Sequence, residues 1–339
     1  MRNALSLNKW DTPLLLVVGL VVLTGLSSAL GYEQLTFSLT EMLIRLVVVV
    51  GIYLFVGNSG VISFGHIGFM CIGAYAAAWL TLDPSWKQVM LSGLPVALQE
   101  NTYPFGIAVL AAACLAAFTA LLLGAALMRL NGLAASIATF AFLAIVNSVY
   151  SNWDTVTGGT SSLIGIPNAV TVWIALGFAA AAIIVAFAFQ TSRVGLMLRA
   201  SREDEVAAQA SSIGIFKVRL AAFVLSAFVV GAGGALYAQF IGVLTPDAFY
   251  LGMAFVTLAM LVVGGVGSLT GAVLGTAAVT LVTEVLKVGE RGLTIAGSDV
   301  ALPLGSQEIG LGIAMMLILI LRPAGSMGNE EVRLSRGTK

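Results

Sequence analysis

The sequence predicts an all-α, polytopic membrane protein, and two observations support that fold class. Of 339 residues, 59% are hydrophobic and only 9% are charged, and the mean hydropathy is +1.02. This is more apolar surface than a single soluble core can bury. Apolar stretches long enough to cross hydrocarbon as helices also recur along the whole chain, with only short polar gaps between them. The gaps leave no room for a soluble domain.

Apolar length, considered together with charged residues and Gly/Pro breaks, predicts about ten transmembrane helices of roughly 20 residues each. The predicted spans are 13–30, 39–57, 66–82, 105–128, 133–152, 169–190, 219–240, 248–265, 270–287 and 308–322. We therefore expect a single transmembrane domain over 13–322. A short N-terminal segment, 1–12, precedes it and a tail, 323–339, follows it.

The distribution of basic residues predicts that both termini are cytoplasmic. If the N-terminus is inside, twelve Lys and Arg residues fall in cytoplasmic segments, three fall outside, and Arg45 lies within a span. Basic residues are enriched in cytoplasmic loops, so this asymmetry supports an even number of spans. The cytoplasmic set is Arg2, Lys9, Arg129, Arg193, Arg199, Arg202, Lys217, Arg219, Arg322, Arg333, Arg336 and Lys339. Overall, 16 basic residues balance 16 acidic ones, which gives no reason to expect nucleic-acid binding.

Glycines are concentrated at two boundaries between predicted spans. The first is GNSGVISFGHIGFMCIGAY, which contains the chain's only histidine, His66, and the second is LVVGGVGSLTG. Glycines permit a break between helices and close helix packing beyond it. The residues expected in this role are Gly57, Gly60, Gly65, Gly68, Gly264, Gly265 and Gly267. For His66 we favour a structural hydrogen bond over contact with the substrate. The two glycine-rich boundaries resemble each other, and whether they reflect a parallel repeat stays open.

Charged residues are rare inside the spans, and Glu41 and Arg45 are the clearest pair. Their i,i+4 spacing allows an ion pair on one helix face, which we favour over an ion relay. The polar residues at depth are few and uncharged. They supply our candidates for a translocation path: Ser63, His66, Thr139 and Asn147.

The longest charged internal segment, 193–218, predicts a short helix outside the bilayer. Ser201, with Asp204 three residues later, fits a capping box, and the acids 203–205 suit the first turn of a helix. VAAQA then favours a helix of about ten residues that stops at SSIG. Its small side chains suit close docking on a partner, although a solvated loop helix explains the same pattern.

The sequence supports an enzymatic function less well than a transport function. GNSG resembles a serine-protease motif with Ser59 as nucleophile and His66 as base. On a helix, seven residues separate the two by roughly 10 Å, beyond hydrogen-bond reach. One histidine with two apolar cysteines cannot form the usual metal site, and GGVGSLTG lacks the GK[ST] ending of a Walker A motif. A secondary transporter stays open, but the spans lack the ionisable groups that such carriers use.

Several motifs resemble the LivM-type permeases of branched-chain amino acid ABC importers. REDEVAAQA, LAAFVLSAFVVGAGGALYA, LVVGGVGSLTGAVLG, GNSGVISFGHIGFMCIGAY, TGGTSSLIGIP and ILILRPAG occur in the family's order, over about 50–325. The resemblance identifies 193–218 as a cytoplasmic EAA loop, whose helix docks on the nucleotide-binding subunit. Its matching residues are Arg202, Glu203, Asp204, Glu205, Ala207, Ala208 and Gly214.

The resemblance implies a non-enzymatic permease subunit in the bacterial inner membrane. It implies a second LivH-like permease, two ABC ATPase subunits that bind ATP and Mg, and a periplasmic substrate-binding protein, with no cofactor in this chain. The expected substrates are branched-chain or other hydrophobic amino acids, with urea and short amides as the alternative. Family members usually carry glycine at the position of Ser212, so the turn that ends the coupling helix can shift toward Gly214, and which residue caps the helix stays open.

Overall fold

The computed structural model describes residues 11–291 continuously. Beyond them it describes 293–295, 298–300, 303, 305, 306, 309, 310, 312, 313, 316, 320, 325–328 and 331. Within this part of the chain, eight helical segments are long and apolar enough to cross a membrane. The protein is therefore an all-helical, polytopic membrane protein.

The helices are α1 (Asp11–Leu30), α2 (Glu33–Ser59), α3 (His66–Thr81), α4 (Pro84–Met90), α5 (Val96–Glu100), α6 (Phe105–Leu127), α7 (Gly132–Asn152), α8 (Asp154–Thr157), α9 (Val172–Thr191), α10 (Arg193–Glu203), α11 (Glu205–Ala210), α12 (Ile215–Ile241), α13 (Leu251–Gly264) and α14 (Leu269–Arg291). A 3-10 turn, Pro246–Phe249, precedes α13. Two short antiparallel pairs complete the described elements: β1 (Leu163–Ile164) with β2 (Val243–Leu244), and β3 (Leu293–Ile295) with β4 (Ser298–Val300). The membrane-length segments are α1, α2, α6, α7, α9, α12, α14 and the 3-10 turn with α13.

Two long antiparallel spans, α2 and α12, form the centre of the bundle. The apolar window of α2 is 83% buried and that of α12 is 67% buried, whereas that of α1 is only 17% buried. Ser226 on α12 donates a hydrogen bond of 2.6 Å to the carbonyl of Gly51 on α2. Helices α1, α6 and α7 lie at the periphery, where exposed aliphatic side chains suit a lipid environment.

The short helix α3 packs against α12 with almost no space between the two backbones. A Cβ atom at Gly73 would lie 2.2 Å from the carbonyl oxygen of Gly231, and one at Gly234 would lie 2.0 Å from that of Met70. Small residues permit this approach, which maximises van der Waals contact where the hydrophobic effect supplies no driving force between helices. Most of α3 is consequently buried inside the bundle.

The prediction of ten spans needs one correction, and one of the predicted spans stays untested. The third predicted span, 66–82, forms a helix of only 16 residues, which is too short to cross about 30 Å of hydrocarbon by itself. The glycine-rich residues ahead of it, 60–65, are not helical. The tenth predicted span, 308–322, lies largely outside the described residues.

Polar contacts hold the end of the bundle where α2 begins and α3 finishes. Arg45 and Glu41 form the expected ion pair, and Lys287 of α14 lies 3.8 Å from the same carboxylate, which ties α14 to α2. The buried ammonium of Lys87 donates to the carbonyls of Leu98 (3.0 Å) and Asn101 (2.7 Å). Burial lowers the pKa of Lys87, and the nearby Asp83 opposes that shift.

Candidate functional site

The two glycine-rich boundaries meet at the opposite end of the bundle, which we call the break end. Helix α2 ends at Ser59, followed by Gly60 at φ 72°, and α13 ends at Gly264, followed by Gly265 at φ 115°. An added Cβ at Gly57 would lie 2.8 Å from the carbonyl oxygen of Val266. The last turn of α2, ahead of the break at 60–65, therefore touches the break after α13 at 265–268.

The second break is held together by its glycines and by the chain's tail. A Cβ at Gly264 would lie 1.8 Å from the carbonyl oxygen of Gly271, which brings α13 and α14 into backbone contact, and Gly267 lies in the turn between them. Beyond α14, the amides of Ser326 and Met327 donate to the carbonyls of residues 263 and 264, at 2.9 and 3.0 Å. The tail therefore folds back over this break.

Glu331 caps the start of α14. Its carboxylate accepts hydrogen bonds from the amides of Leu269 (2.8 Å) and Thr270 (3.0 Å) and from the hydroxyl of Thr270 (2.6 Å). Capping of this kind satisfies donors that a helix N-terminus leaves unpaired. Sequence reasoning missed Glu331, because an acid about sixty residues from the helix carries no local capping signal.

The charged segment 193–218 contains two helices where the sequence predicted one. Ser192 caps α10, and Asp204 interrupts the helix and caps α11 by accepting from the amides of Val206 and Ala207, each at 2.9 Å. Ser201, the predicted cap, lies inside α10 and donates to the carbonyl of Leu198. The predicted capping box is therefore wrong, because an Asp side chain adjacent to the helix start competes more directly for those amides. Helix α11 has six residues instead of about ten.

The turn that ends α11 is formed at Ser212 and does not shift to Gly214. Ser212 adopts φ 63°, the only positive φ among the described non-glycine residues, whereas Gly214 has φ −76° and precedes α12. The amides of Ser212 and Ile213 donate to the carbonyls of Gln209 and Ala208. This pattern is a Schellman motif, so the hydrogen bonds hold Ser212 in the left-handed conformation despite its side chain.

Helix α11 is anchored on one side and exposed on the other. Glu205 pairs with Arg219 of α12 at 3.3 Å, and Arg219 also donates to Asn131, just before α7, at 2.7 Å. Arg219 is 5% exposed and Ala208 is 4% exposed, whereas Val206 is 78% exposed. Ala207 and the preceding Glu203 and Asp204 are also exposed. A six-residue helix thus offers a small-residue face outward while one carboxylate connects it to a central span.

Helix α10 is joined to α2 by two arginines, of which the sequence motif contains only Arg202. Arg202 donates to the carbonyl of Gly57 at 2.7 Å. Arg199 donates to Asn58 at 2.8 Å, to Gln190 at 3.0 Å and to the hydroxyl of Tyr53 at 3.2 Å. Sequence reasoning missed Arg199, since its partner on α2 is 141 residues away and the segment by itself reads as a solvated basic helix.

The four candidate path residues do not form one cluster of hydrogen-bonded side chains. Ser63 (1% exposed) and Thr139 (0% exposed) are buried near the first break, where a Cβ at Gly65 would lie 2.8 Å from the carbonyl oxygen of Thr139. Thr139 donates to the carbonyl of Ser136 at 2.9 Å. Asn147 lies farther along α7, with its amide 3.5 Å from Asp247.

His66 lies in an aromatic enclosure at the start of α3. The rings of Phe55, Phe69 and Phe223 surround it at centroid distances of 5.7, 6.2 and 5.5 Å, and the residue is fully buried. Neither ring nitrogen makes a hydrogen bond of good geometry among the described residues, and the backbone of Ser63 is the polar group that interacts with the ring. Ser59 accepts from the amide of Val61 at 3.2 Å. A His66 enclosed in this way cannot serve Ser59 as an exposed general base.

Comparison with known proteins identifies the family. The family described as "Branched-chain amino acid transport system / permease component" matches residues 34–321. The chain is 26% identical over 337 residues to the high-affinity branched-chain amino acid transport system permease protein LivM of Escherichia coli K12, covering 88% of this chain and 71% of that protein. The LivM protein of Salmonella typhimurium matches to the same extent.

A second permease of the same transport systems is also similar. The LivH protein of Salmonella typhimurium is 31% identical over 162 residues, which is 48% of this chain and 47% of LivH. No solved structure matches the chain significantly. Because the family match extends over most of the chain and agrees with the helical membrane fold, this protein belongs to the permease components of branched-chain amino acid ABC transport systems, which are not enzymes.

Proposed function

We propose that this protein is the translocating permease subunit of a bacterial inner-membrane ABC importer for branched-chain or other hydrophobic amino acids. The observation that carries the proposal is the geometry of α11: its outward residues are exposed, and Glu205 connects it to the buried Arg219 of α12. A partner ATPase that docks on α11 therefore has a direct contact to the centre of the bundle. The membership of the chain in the permease family supports the same function.

In the proposed mechanism, ATP binding and hydrolysis in the partner ATPases move α11. Asp204 separates α11 from α10, so the short helix has its own cap and its own orientation. The Glu205–Arg219 ion pair transmits the displacement to α12, which packs along α2 and α3 in the core. Movement of packed helices between discrete arrangements is an established route to alternating access.

The break end is proposed to face the cytoplasm. Six basic residues lie at or beside it, Arg129, Arg193, Arg199, Arg202, Lys217 and Arg219, whereas the opposite end holds Arg45, Lys87, Lys287 and Arg291 among the described residues. This distribution favours cytoplasmic termini, with 13–322 as the transmembrane domain and 323–339 as a cytoplasmic tail. The partners are then a LivH-like permease, two ATPases and a periplasmic binding protein.

The substrate proposal depends on the chemistry of the spans and on the relatives. The buried polar groups named as path candidates, Ser63, His66, Thr139 and the partly buried Asn147, carry no acidic or basic side chain other than the imidazole. A path of this kind tolerates zwitterions with apolar side chains, and the relatives are named as branched-chain amino acid permeases. Urea or a short amide is the second candidate, because it also carries no net charge.

The experiment is ATP-driven uptake in proteoliposomes that contain this chain with the second permease and the ATPases encoded beside it, supplied with their binding protein. Leucine uptake that exceeds urea uptake is the expected result. Glu205→Lys places two cations together at Arg219, so we expect it to abolish uptake while the chain still reaches the membrane. Glu33→Lys, at an exposed position at the other end of α2, is the matched charge-reversal control.

Each outcome is decisive for one part of the proposal. Normal uptake by Glu205→Lys would contradict the role of α11 in coupling. Uptake of urea in preference to leucine would retain the importer but replace its substrate. Uptake by the wild type that requires no ATP would overturn the ABC mechanism as a whole.

A further inference from the structure

We infer that α10 is a second transmission element, in which Arg199 and Arg202 are positioning residues that tie the coupling segment to the first break. The inference rests on the proposed function, because it assumes that α11 is moved by an ATPase. It adds a route of transmission that does not pass through Glu205. Its basis is the set of contacts that α10 makes with α2 and α9.

The two arginines are spaced i,i+3 and therefore lie on the same face of α10. That face is turned toward the last turns of α2: Arg199 donates to Asn58 at 2.8 Å, and Arg202 donates to the carbonyl of Gly57 at 2.7 Å. Arg199 also reaches Gln190 at the end of α9, at 3.0 Å. A guanidinium has several donors in a rigid plane, so these bonds fix the orientation of α10 relative to two spans.

Arg202 supplies a function that α2 needs at this position. The last four carbonyls of a helix have no partner within the helix, and that of Gly57 is one of them. The guanidinium satisfies this carbonyl and places a positive charge at the negative end of the helix dipole. The stem of Arg202 also fills the space at Gly60, where a Cβ would lie 2.9 Å from the Arg202 Cγ. The break after α2 is thus shaped around a residue of α10.

Both guanidiniums are held by neutral acceptors. Within the described residues, neither Arg199 nor Arg202 forms an ion pair within 4.0 Å, in contrast to Arg219, which has Glu205. The directed donors of a guanidinium fix how α10 sits against α2. An apolar side chain at either position would pack against α2 without imposing a direction on the contact.

A second chain of contacts leads from α11 to the same break. Glu205 holds Arg219, and Arg219 donates to Asn131, which immediately precedes α7. On α7, Ser136 donates to the carbonyl of Ile62 at 2.7 Å. Residue 62 lies in the non-helical linker between α2 and α3. The segment α10–α11 therefore reaches this linker through α10 and α2 and also through α12 and α7.

The closing experiment uses the complete importer in proteoliposomes and compares Arg199→Met and Arg202→Met with Arg193→Met. Arg193 belongs to the same helix but is exposed, and it forms no ion pair within the described residues. For the two test variants we expect uptake to fall about tenfold while ATP hydrolysis stays within about twofold of wild type, so that more ATP is consumed per substrate moved. The Arg193 variant should behave as wild type.

Four further measurements separate transmission from a loss of structure. Copurification of the ATPases with each variant should be unchanged. Arg202→Lys keeps a donor for the Gly57 carbonyl and should recover part of the uptake, and Asn58→Leu should reproduce the effect of Arg199→Met. Because Asn58 and Arg199 share one hydrogen bond, the double variant should be no worse than the more defective single variant.

Normal uptake by both test variants would overturn this inference and leave the proposed function intact. A parallel fall in uptake, ATP hydrolysis and copurified ATPase would also overturn it, because that result shows a role in assembly alone. Failure of the wild type to import with ATP would instead refute the proposed function. The results therefore distinguish a wrong transmission route from a wrong protein class.

Discussion

Gly73→Ala should destabilise the bundle by forcing apart its central helices. The added Cβ would lie 2.2 Å from the carbonyl oxygen of Gly231 and 2.7 Å from its Cα. Both are backbone atoms, so no side-chain rotation relieves the overlap. Restoring an ordinary contact of 3.4 Å requires α3 and α12 to separate by about 1.2 Å at this point.

The magnitude follows from two opposing terms. Overpacking a close-packed interior costs up to about 3 kcal/mol, and the higher helix propensity of alanine returns about 1 kcal/mol. The net loss in the free energy of unfolding is therefore up to about 2 kcal/mol. Gly177→Ala in α9 is the matched control, because nothing lies within 4 Å of its added Cβ. This control should be stabilised by up to about 1 kcal/mol.

The assay is equilibrium unfolding of the purified protein in detergent, followed by tryptophan fluorescence. Trp79 lies in α3 and donates to the carbonyl of Val156 at 2.9 Å, so it reports on the helix that carries Gly73. A lower unfolding midpoint for Gly73→Ala than for Gly177→Ala is the expected result. Equal midpoints would refute the reasoning, because they would mean that α3 and α12 tolerate a side chain between them.

Three further predictions concern caps and turns. Ser212→Gly should slow amide hydrogen exchange in α11, because glycine adopts φ 63° without the side-chain penalty of about 1 kcal/mol; faster exchange would contradict this explanation. Glu331→Ala should lower the free energy of unfolding by about 1–2 kcal/mol, as measured by thermal melting. Glu331→Gln should be less destabilised, because its side-chain amide keeps one acceptor oxygen. An unchanged melting temperature for Glu331→Ala would exclude a capping role. Hydrogen bonds from Ser85 lower the pKa of Asp83 below its ordinary value of 3.8, so its capping of α4 is present above that pH and is lost as the pH falls through the lowered pKa. Asp83→Ala should therefore speed exchange of the Ser85 amide at neutral pH, and the difference from wild type should vanish in strong acid; a difference that persists there would exclude the carboxylate as its cause.

The spans were predictable from the sequence because a bilayer restricts backbone structure severely. The predicted span 219–240 corresponds to α12, Ile215–Ile241, and the predicted span 105–128 to α6, Phe105–Leu127. Every backbone polar group in hydrocarbon must pair within the chain, so a long apolar run has one practical conformation. The prediction that 66–82 forms a full membrane span was wrong, because the length of α3 depends on where the non-helical linker before it ends.

The segment 193–218 shows how much helical structure a local sequence pattern can predict. EVAAQA was identified as a helix from small residues and an acidic start, and α11 occupies Glu205–Ala210. Its cap was misassigned, because Ser201 and Asp204 both satisfy a capping pattern and the choice depends on the preceding α10. The left-handed Ser212 was also missed: steric preference disfavours that conformation, but two backbone hydrogen bonds outweigh it.

The sequence by itself determined the membrane class, most of the approximate spans, the two glycine-rich boundaries and a short helix within 193–218. Each of these follows from the apolar length, the glycines or the charges of neighbouring residues. The tertiary structure decided which distant residues meet: Arg199 with Asn58, Glu205 with Arg219, and Gly73 with Gly231. These pairings depend on how the helices cross, and crossings are set by van der Waals packing and hydrogen bonds between spans. For that reason the breaks were visible in the sequence, but their contact with each other and with α10 was not.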